Sequence, residues 1–95
     1  MVRKKFYIIC YDISDTSGRN AVAELLESYG TRVNFSVFEC MITAKQLTTI
    51  KKSLTKHIDI STDIILFYNV CVDCFTKAEQ IGRSAPQDGD TVISD

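Results

Sequence analysis

The chain has 95 residues but a single histidine, His57, and no glycine-rich phosphate loop. The scarcity of histidine argues against a histidine-based metal centre. No nucleophile–histidine–aspartate order is present to suggest a hydrolytic triad. The missing loop argues against the common nucleotide-binding motifs. Long apolar runs are also absent: the longest, Phe6–Tyr11, has six residues, against about 20 for a membrane helix. The start, Met1-Val2-Arg3-Lys4-Lys5, superficially resembles a signal peptide, but the apolar stretch behind it is too short and Asp12 interrupts it. A cytoplasmic protein with no membrane partner is therefore expected. Neither sign of charge is in excess, since 11 basic and 12 acidic residues leave −1. Nucleic-acid binding would need locally clustered Lys and Arg. Cys71 and Cys74 have metal-ligand spacing, but no second such pair accompanies them, and Cys10 and Cys40 stand alone. A four-cysteine zinc site is not expected, nor are disulfides without export.

What remains is an ordinary globular composition, 45% hydrophobic and 24% charged. A chain this short holds one core, which buries roughly 60–65% of the unfolded surface. A dimer partner would add to it.

Residues 5–12 are apolar on both alternate faces, as in a central strand covered on both sides or paired at an interface. Residues 14–18 are turn chemistry, with Ser17 as the expected helix N-cap. Val22, Leu25, Leu26 and Tyr29 share one helical face, and Gly30 is placed to stop that helix as a left-handed cap. The spacing predicts a helix over 18–29. Residues 31–42 are rich in β-branched and aromatic types and read as two strands, about 31–35 and 37–42, with a kink or tight turn from Asn34 to Ser36. Thr43 and Gln46 form a capping box, and Leu47, Ile50, Leu54 and Ile58 follow at helical spacing, predicting a helix over 44–57. Residues 64–72 read as another strongly apolar strand, 74–81 as a short helix ended by Gly82, and 83–95 as a tail with a final strand near 91–94. The order β-α-β-β-α-β implies an α+β, ferredoxin-like sandwich: a short antiparallel sheet with both helices on one face. The first and last strands, the two most apolar, are expected at its centre. The domain is placed at 1–82.

Asp12 is the most informative residue. It ends an otherwise apolar strand just before a turn, where a carboxylate projects from the sheet edge. It either caps the turn or ligates a hard cation, and Mg²⁺ takes one or two carboxylates plus waters and phosphate oxygens. Tyr11 is a packing residue or a site residue, and Asp15 is a second ligand or serves the turn or the helix dipole. Arg32 is solvated or a bidentate phosphate ligand. Phe38 packs in the core or stacks on a base. His57 suits the C-terminal end of a helix. Lys45, Lys52 and Lys56 are seven and four residues apart, on one helical face opposite Leu47, Ile50 and Leu54. They form either a solvated face or a basic stripe along a phosphate backbone, which Arg3, Lys4, Lys5 and Arg19 could extend.

Together these residues resemble a known family, the small CRISPR-associated endonuclease of spacer acquisition, the second Cas family. The resemblance is carried by Tyr11-Asp12-Ile13, Arg19-Asn20, Tyr29-Gly30-Thr31-Arg32-Val33 and Ser36-Val37-Phe38-Glu39-Cys40. The capped, Lys-rich pattern over 43–54 and Cys71-x-x-Cys74 before Gly82 support it, and it spans about residues 5–82. It implies a homodimer with a cleft between the first strands, where Asp12 of each subunit binds one shared Mg²⁺ or Mn²⁺. It implies that Tyr11, Arg19, Arg32, Ser36 and Phe38 lie near the active cleft, and that the strand near 91–94 pairs with the partner's sheet. It implies cleavage of single-stranded RNA or double-stranded DNA, and assembly with CRISPR integrase dimers. Two functions follow: a metal-dependent phosphodiester hydrolase, or a non-catalytic dimeric scaffold that holds duplex DNA and bridges the integrases. A small-molecule regulator on this fold finds no pocket signal, and an RNA-recognition sheet would need paired aromatic motifs that are absent.

Overall fold

β-branched and aromatic residues place Lys4–Asp12 (β1) in the extended conformation, and alternation then divides its side chains between two faces. A computed structural model of the chain describes residues 3–71 together with Lys77, Glu79, Ile81 and Gly82. β1 is followed by α1 (Thr16–Glu27), β2 (Gly30–Asn34), β3 (Val37–Thr43), α2 (Ala44–Thr55) and β4 (Ile64–Val70). The four strands form one antiparallel sheet in the order β2-β3-β1-β4. Each strand–helix–strand unit leaves a gap of one strand, which the other unit fills. This is the expected α+β, ferredoxin-like topology.

One sequence expectation is corrected by that order. The central strands are β1 and β3, and among the described residues β4 lies at an edge. The apolar character of β4 does not come from burial between neighbours. One of its faces packs on the core through Ile65 and Phe67, whereas Ile64, Leu66 and Tyr68 stay 51%, 41% and 52% exposed.

The core lies between the sheet and both helices. Ile9 and Tyr11 from β1 and Phe38, Cys40 and Ile42 from β3 meet Val22, Ala23 and Leu26 of α1 and Ile50 and Leu54 of α2. Residues opposite one another in the register share a face. Phe6, Ile8, Cys10 and Asp12, with Val37, Glu39 and Met41 and with Ile64, Leu66, Tyr68 and Val70, therefore lie on the face away from the helices.

The capping box of α2 forms as expected: Gln46 N–H donates to Thr43 Oγ1 at 3.0 Å, and Thr43 N–H donates to Gln46 Oε1 at 2.9 Å. α2 ends at Thr55, two residues short of the expectation. α1 begins earlier than expected because Asp15, not Ser17, is its N-cap, accepting from Gly18 N–H at 2.9 Å. Its C-cap is Ser28 in the right-handed region. Gly30 is therefore not a left-handed cap but the first residue of β2. A Cβ there would stand 2.2 Å from Glu39 O and 2.6 Å from Cys40 Sγ, so the close approach of β2 to β3 requires glycine.

The expected helix over 74–81 lies largely outside the described residues. Lys77, Glu79 and Ile81 within it are not helical. Residues 83–95, including the expected final strand, and Cys74 lie outside the described residues.

Candidate functional site

The C-terminal end of β1, the first turn of α1 and the β2–β3 turn meet at one end of the sheet. A cavity of about 440 Å³ there gathers Tyr11, Asp12, Arg19, Arg32 and Ser36, together with Asn20 and Phe35. Five of the six residues expected near the active cleft thus converge from three separate segments.

Asp12 is exposed, and no hydrogen bond or ion pair reaches its carboxylate from the described residues. It does not cap the turn that follows. That work falls to Asp15, which caps α1 and accepts from Ser17 Oγ, and to Asp63. Asp63 Oδ1 accepts from the backbone N–H of Ser14 at 3.1 Å and from Ser14 Oγ at 3.2 Å, and Asp63 Oδ2 accepts from Asp59 N–H at 2.8 Å. These hydrogen bonds hold the carboxyl of Asp63 below its ordinary value. The Ser17 hydroxyl, then Gly18 N–H, does the same for Asp15. Both are engaged structural anions beside a second polar cavity that also involves Lys56 and His57.

The two arginines are half committed. Arg19 donates from Nη1 to Ile13 O at 3.0 Å and Ser14 O at 3.2 Å, and from Nη2 to Thr16 Oγ1 at 3.0 Å, which ties down the β1–α1 turn. Arg32 donates from Nη1 to Phe35 O at 3.1 Å and lies 3.5 Å from Glu27 Oε2. Its guanidinium sits over the Phe38 ring, 5.3 Å from the centroid. A guanidinium has five donors, so each retains N–H groups for a phosphate oxygen.

Tyr11 and Phe38 support the site from below. Tyr11 is 6% exposed, and its ring stacks on Phe38 with centroids 6.3 Å apart. Its hydroxyl donates to Phe35 O at 3.3 Å. Burial pushes the Tyr11 phenol above its ordinary value, against the opposing effect of Arg32. Phe38 is fully buried and does not line the cavity. Its ring packs against Tyr11 and lies under the Arg32 guanidinium. Ser36 O accepts from Tyr11 N–H at 3.1 Å, joining the β2–β3 turn to the end of β1.

The structure does not bring the lysines to this cavity. Lys45, Lys52 and Lys56 are exposed on α2, on the helix side of the sheet, and none lines the Asp12 cavity. Phe35, which does, is missed by the sequence reading because an aromatic next to β-branched residues is counted as strand. The signal available was Asn34, whose Oδ1 accepts from Phe35 N–H at 2.8 Å and turns the chain there.

Among the described residues no group of three or more His, Cys, Asp or Glu could cage a metal. The donor chemistry at Asp12 is one free carboxylate oxygen pair. That fits a hard divalent cation such as Mg²⁺ or Mn²⁺, which keeps several waters and takes phosphate oxygens. It does not fit a soft metal.

Among the described residues no helix is long and apolar enough to cross a membrane.

Residues 5–78 match the family model described as CRISPR associated protein Cas2. A CRISPR-associated endoribonuclease Cas2 from Rhodospirillum rubrum is 41% identical over 78 residues, 82% of this chain and 63% of its own length. A CRISPR-associated endonuclease Cas2 from Thermus thermophilus is 37% identical over 70% of this chain and 74% of its own. Among solved structures, Streptococcus pyogenes Cas2 is 34% identical, with a TM-score of 0.75 over 81% of this chain and 99% of that one. A chain of a partial Cas6-RT-Cas1–Cas2 complex is 30% identical, with a TM-score of 0.71 over 94% of this chain and 97% of that one. The matched span carries both the sheet and every residue of the Asp12 cavity, and the chain belongs to the CRISPR-associated Cas2 family.

Proposed function

We propose that the protein is a metal-dependent endonuclease of the CRISPR system, working as a homodimer in spacer acquisition. The observation that carries this reading is the Asp12 carboxylate: exposed, without a protein partner among the described residues, and sharing its cavity with two arginines. Relatives named endoribonuclease and endonuclease support it.

The chain's own residues divide the work. Arg19 and Arg32 hold a phosphate through their remaining N–H groups. Asp12 is the metal ligand. A bound Mg²⁺ or Mn²⁺ supplies Lewis acidity and a more acidic water. Tyr11 and Phe38 position Arg32 and the β2–β3 turn, and Ser36 ties that turn to β1. Asp12 shares its sheet face with Met41, Ile64, Leu66 and Tyr68, each about half exposed. Pairing that face with a second copy would cover this apolar surface and bring a second carboxylate to the same interface.

The test is cleavage by the wild-type protein of single-stranded RNA and of duplex DNA, with Mg²⁺, Mn²⁺ or chelator. Sedimentation in parallel should report twice the chain mass. Cutting that requires the metal is expected, and cutting that persists unchanged in chelator would sink the reading.

A second reading is favoured by the lysine stripe. Lys45, Lys52 and Lys56 lie on the opposite side of the sheet from Asp12, where they could hold duplex DNA while the protein bridges integrase dimers. The solved neighbour in a Cas1–Cas2 complex supports that partnership. Reversing all three to Glu should weaken duplex binding at least tenfold at low salt and flatten its logarithmic salt dependence by about three. RNA cleavage should be unchanged. A duplex affinity and salt slope equal to wild type would remove this stripe from DNA binding.

A further inference from the structure

Phe35 is the one described phenylalanine that the fold does not use. Phe6 and Phe38 are 5% and 0% exposed, and Phe67 packs on the core, but Phe35 is 83% exposed. It sits in the β2–β3 turn and lines the Asp12 cavity with Arg19 and Arg32. Its backbone, in contrast, is clamped. Its N–H donates to Asn34 Oδ1 at 2.8 Å, and its carbonyl accepts from Tyr11 Oη at 3.3 Å and from Arg32 Nη1 at 3.1 Å. The turn is thus held by backbone hydrogen bonds, and the ring projects from a fixed base without stabilising anything. A Phe side chain has only two rotatable bonds, so little freedom is lost when it makes a contact.

We infer that Phe35 is a stacking platform for one unpaired base of single-stranded RNA, placed beside the phosphate held by Arg19 and Arg32. The inference rests on the nuclease reading for the position of that phosphate. The two side-chain types together match the two parts of a nucleotide: guanidinium for the phosphate, aromatic face for the base. Every base has a π-face, so this contact tolerates any sequence. In a duplex those faces are covered by the neighbouring base pairs, so the ring discriminates in favour of single strands. Tyr11, the other aromatic lining the cavity, is buried and stacked on Phe38, so it leaves no open face for a base.

The test is binding by the full-length protein in chelator, where no metal-dependent cleavage occurs. Its outcome therefore stays readable whether or not the nuclease reading survives. The sequence has no tryptophan, so Phe35→Trp introduces a single indole at the turn. Its fluorescence should be quenched by a single-stranded RNA oligonucleotide and not by a blunt duplex. Phe35→Ala should weaken single-strand binding about 5- to 100-fold and leave duplex binding within twofold. Phe35→Tyr should restore it, and Phe35→Leu should behave like Phe35→Ala. The inference is overturned if Phe35→Ala binds single strands within twofold of wild type. It is equally overturned if Phe35→Leu binds as tightly as wild type, which would mean apolar contact rather than stacking. Loss of duplex and single-strand binding together, or a fall in oligomer mass, would also overturn it by assigning Phe35 to another contact.

Discussion

Asp12→Asn should lower metal-dependent cleavage by about three orders of magnitude and leave the melting temperature within about 2 °C of wild type. Both halves follow from the geometry. The carboxylate accepts no hydrogen bond from the described residues and the side chain is exposed, so the fold loses little with its charge. The turn after it is held by Asp15 and by Asp63 with Ser14, which leaves Asp12 no capping role to forfeit. An amide of the same size keeps the shape and removes the negative charge that a hard cation needs. The comparison is made with both proteins at saturating Mg²⁺ on the better of the two substrates, with the melt recorded alongside. A mutant that cuts as wild type does would remove Asp12 from the cleavage chemistry. A mutant that melts far lower would make Asp12 a structural residue.

The second large effect is on stability. Phe38→Ala should cost about 3–5 kcal/mol, as deletions of a fully buried Phe do. The total stability of a domain this size is about 5–15 kcal/mol, so this one change removes a large share of it. Phe38 is 0% exposed, stacks on Tyr11 and carries the Arg32 guanidinium on its ring. Its removal therefore opens a cavity under two site residues at once. Phe38→Leu fills most of the volume and should cost less than about 1.5 kcal/mol. Denaturant titration of the two variants measures both numbers. Cleavage by Phe38→Leu at a temperature where it is folded then shows what the ring contributes to the site. Activity within a few-fold of wild type is expected from a residue that supports its neighbours and contacts no substrate.

How far the sequence could be read depended on how local each signal was. The capping box at Thr43 and Gln46, the helical face of Val22 and Leu26 and the strand ending at Asp12 are all set by residues within a few positions of one another. They appear in the structure where the pattern puts them. Asp12 itself was legible because it is the charge that ends an apolar strand. Three features were not local. β4 reads as a central strand because its residues are apolar on both faces, and composition does not say whether the second face meets the same chain or another surface. Gly30 reads as a helix stop, since a glycine after a helical face usually is one. Its actual reason, the backbone of Glu39 and the sulfur of Cys40 nearby, comes from β3. Phe35 reads as strand, because only the turn geometry shows that its ring faces outward. Arg32 reads as a phosphate ligand from its chemistry and Arg19 as part of a basic surface, and nothing in their spacing shows that both reach one cavity.

The brace between Asp63 and Ser14 joins residues 49 positions apart. During synthesis β1, α1, β2 and β3 can meet one another before residue 63 has left the ribosome, since their contacts with one another lie upstream of it, whereas the pairing of β1 with β4 must wait. The turn that follows Asp12 is then still open. Closure of the loop from α2 to β4 fastens it, and contacts of such long sequence separation are slow to form. The end of the sheet that bears the Asp12 carboxylate is thus finished late, together with the pairing of β1 and β4. A nascent chain carries three paired strands before it carries the finished end of the sheet.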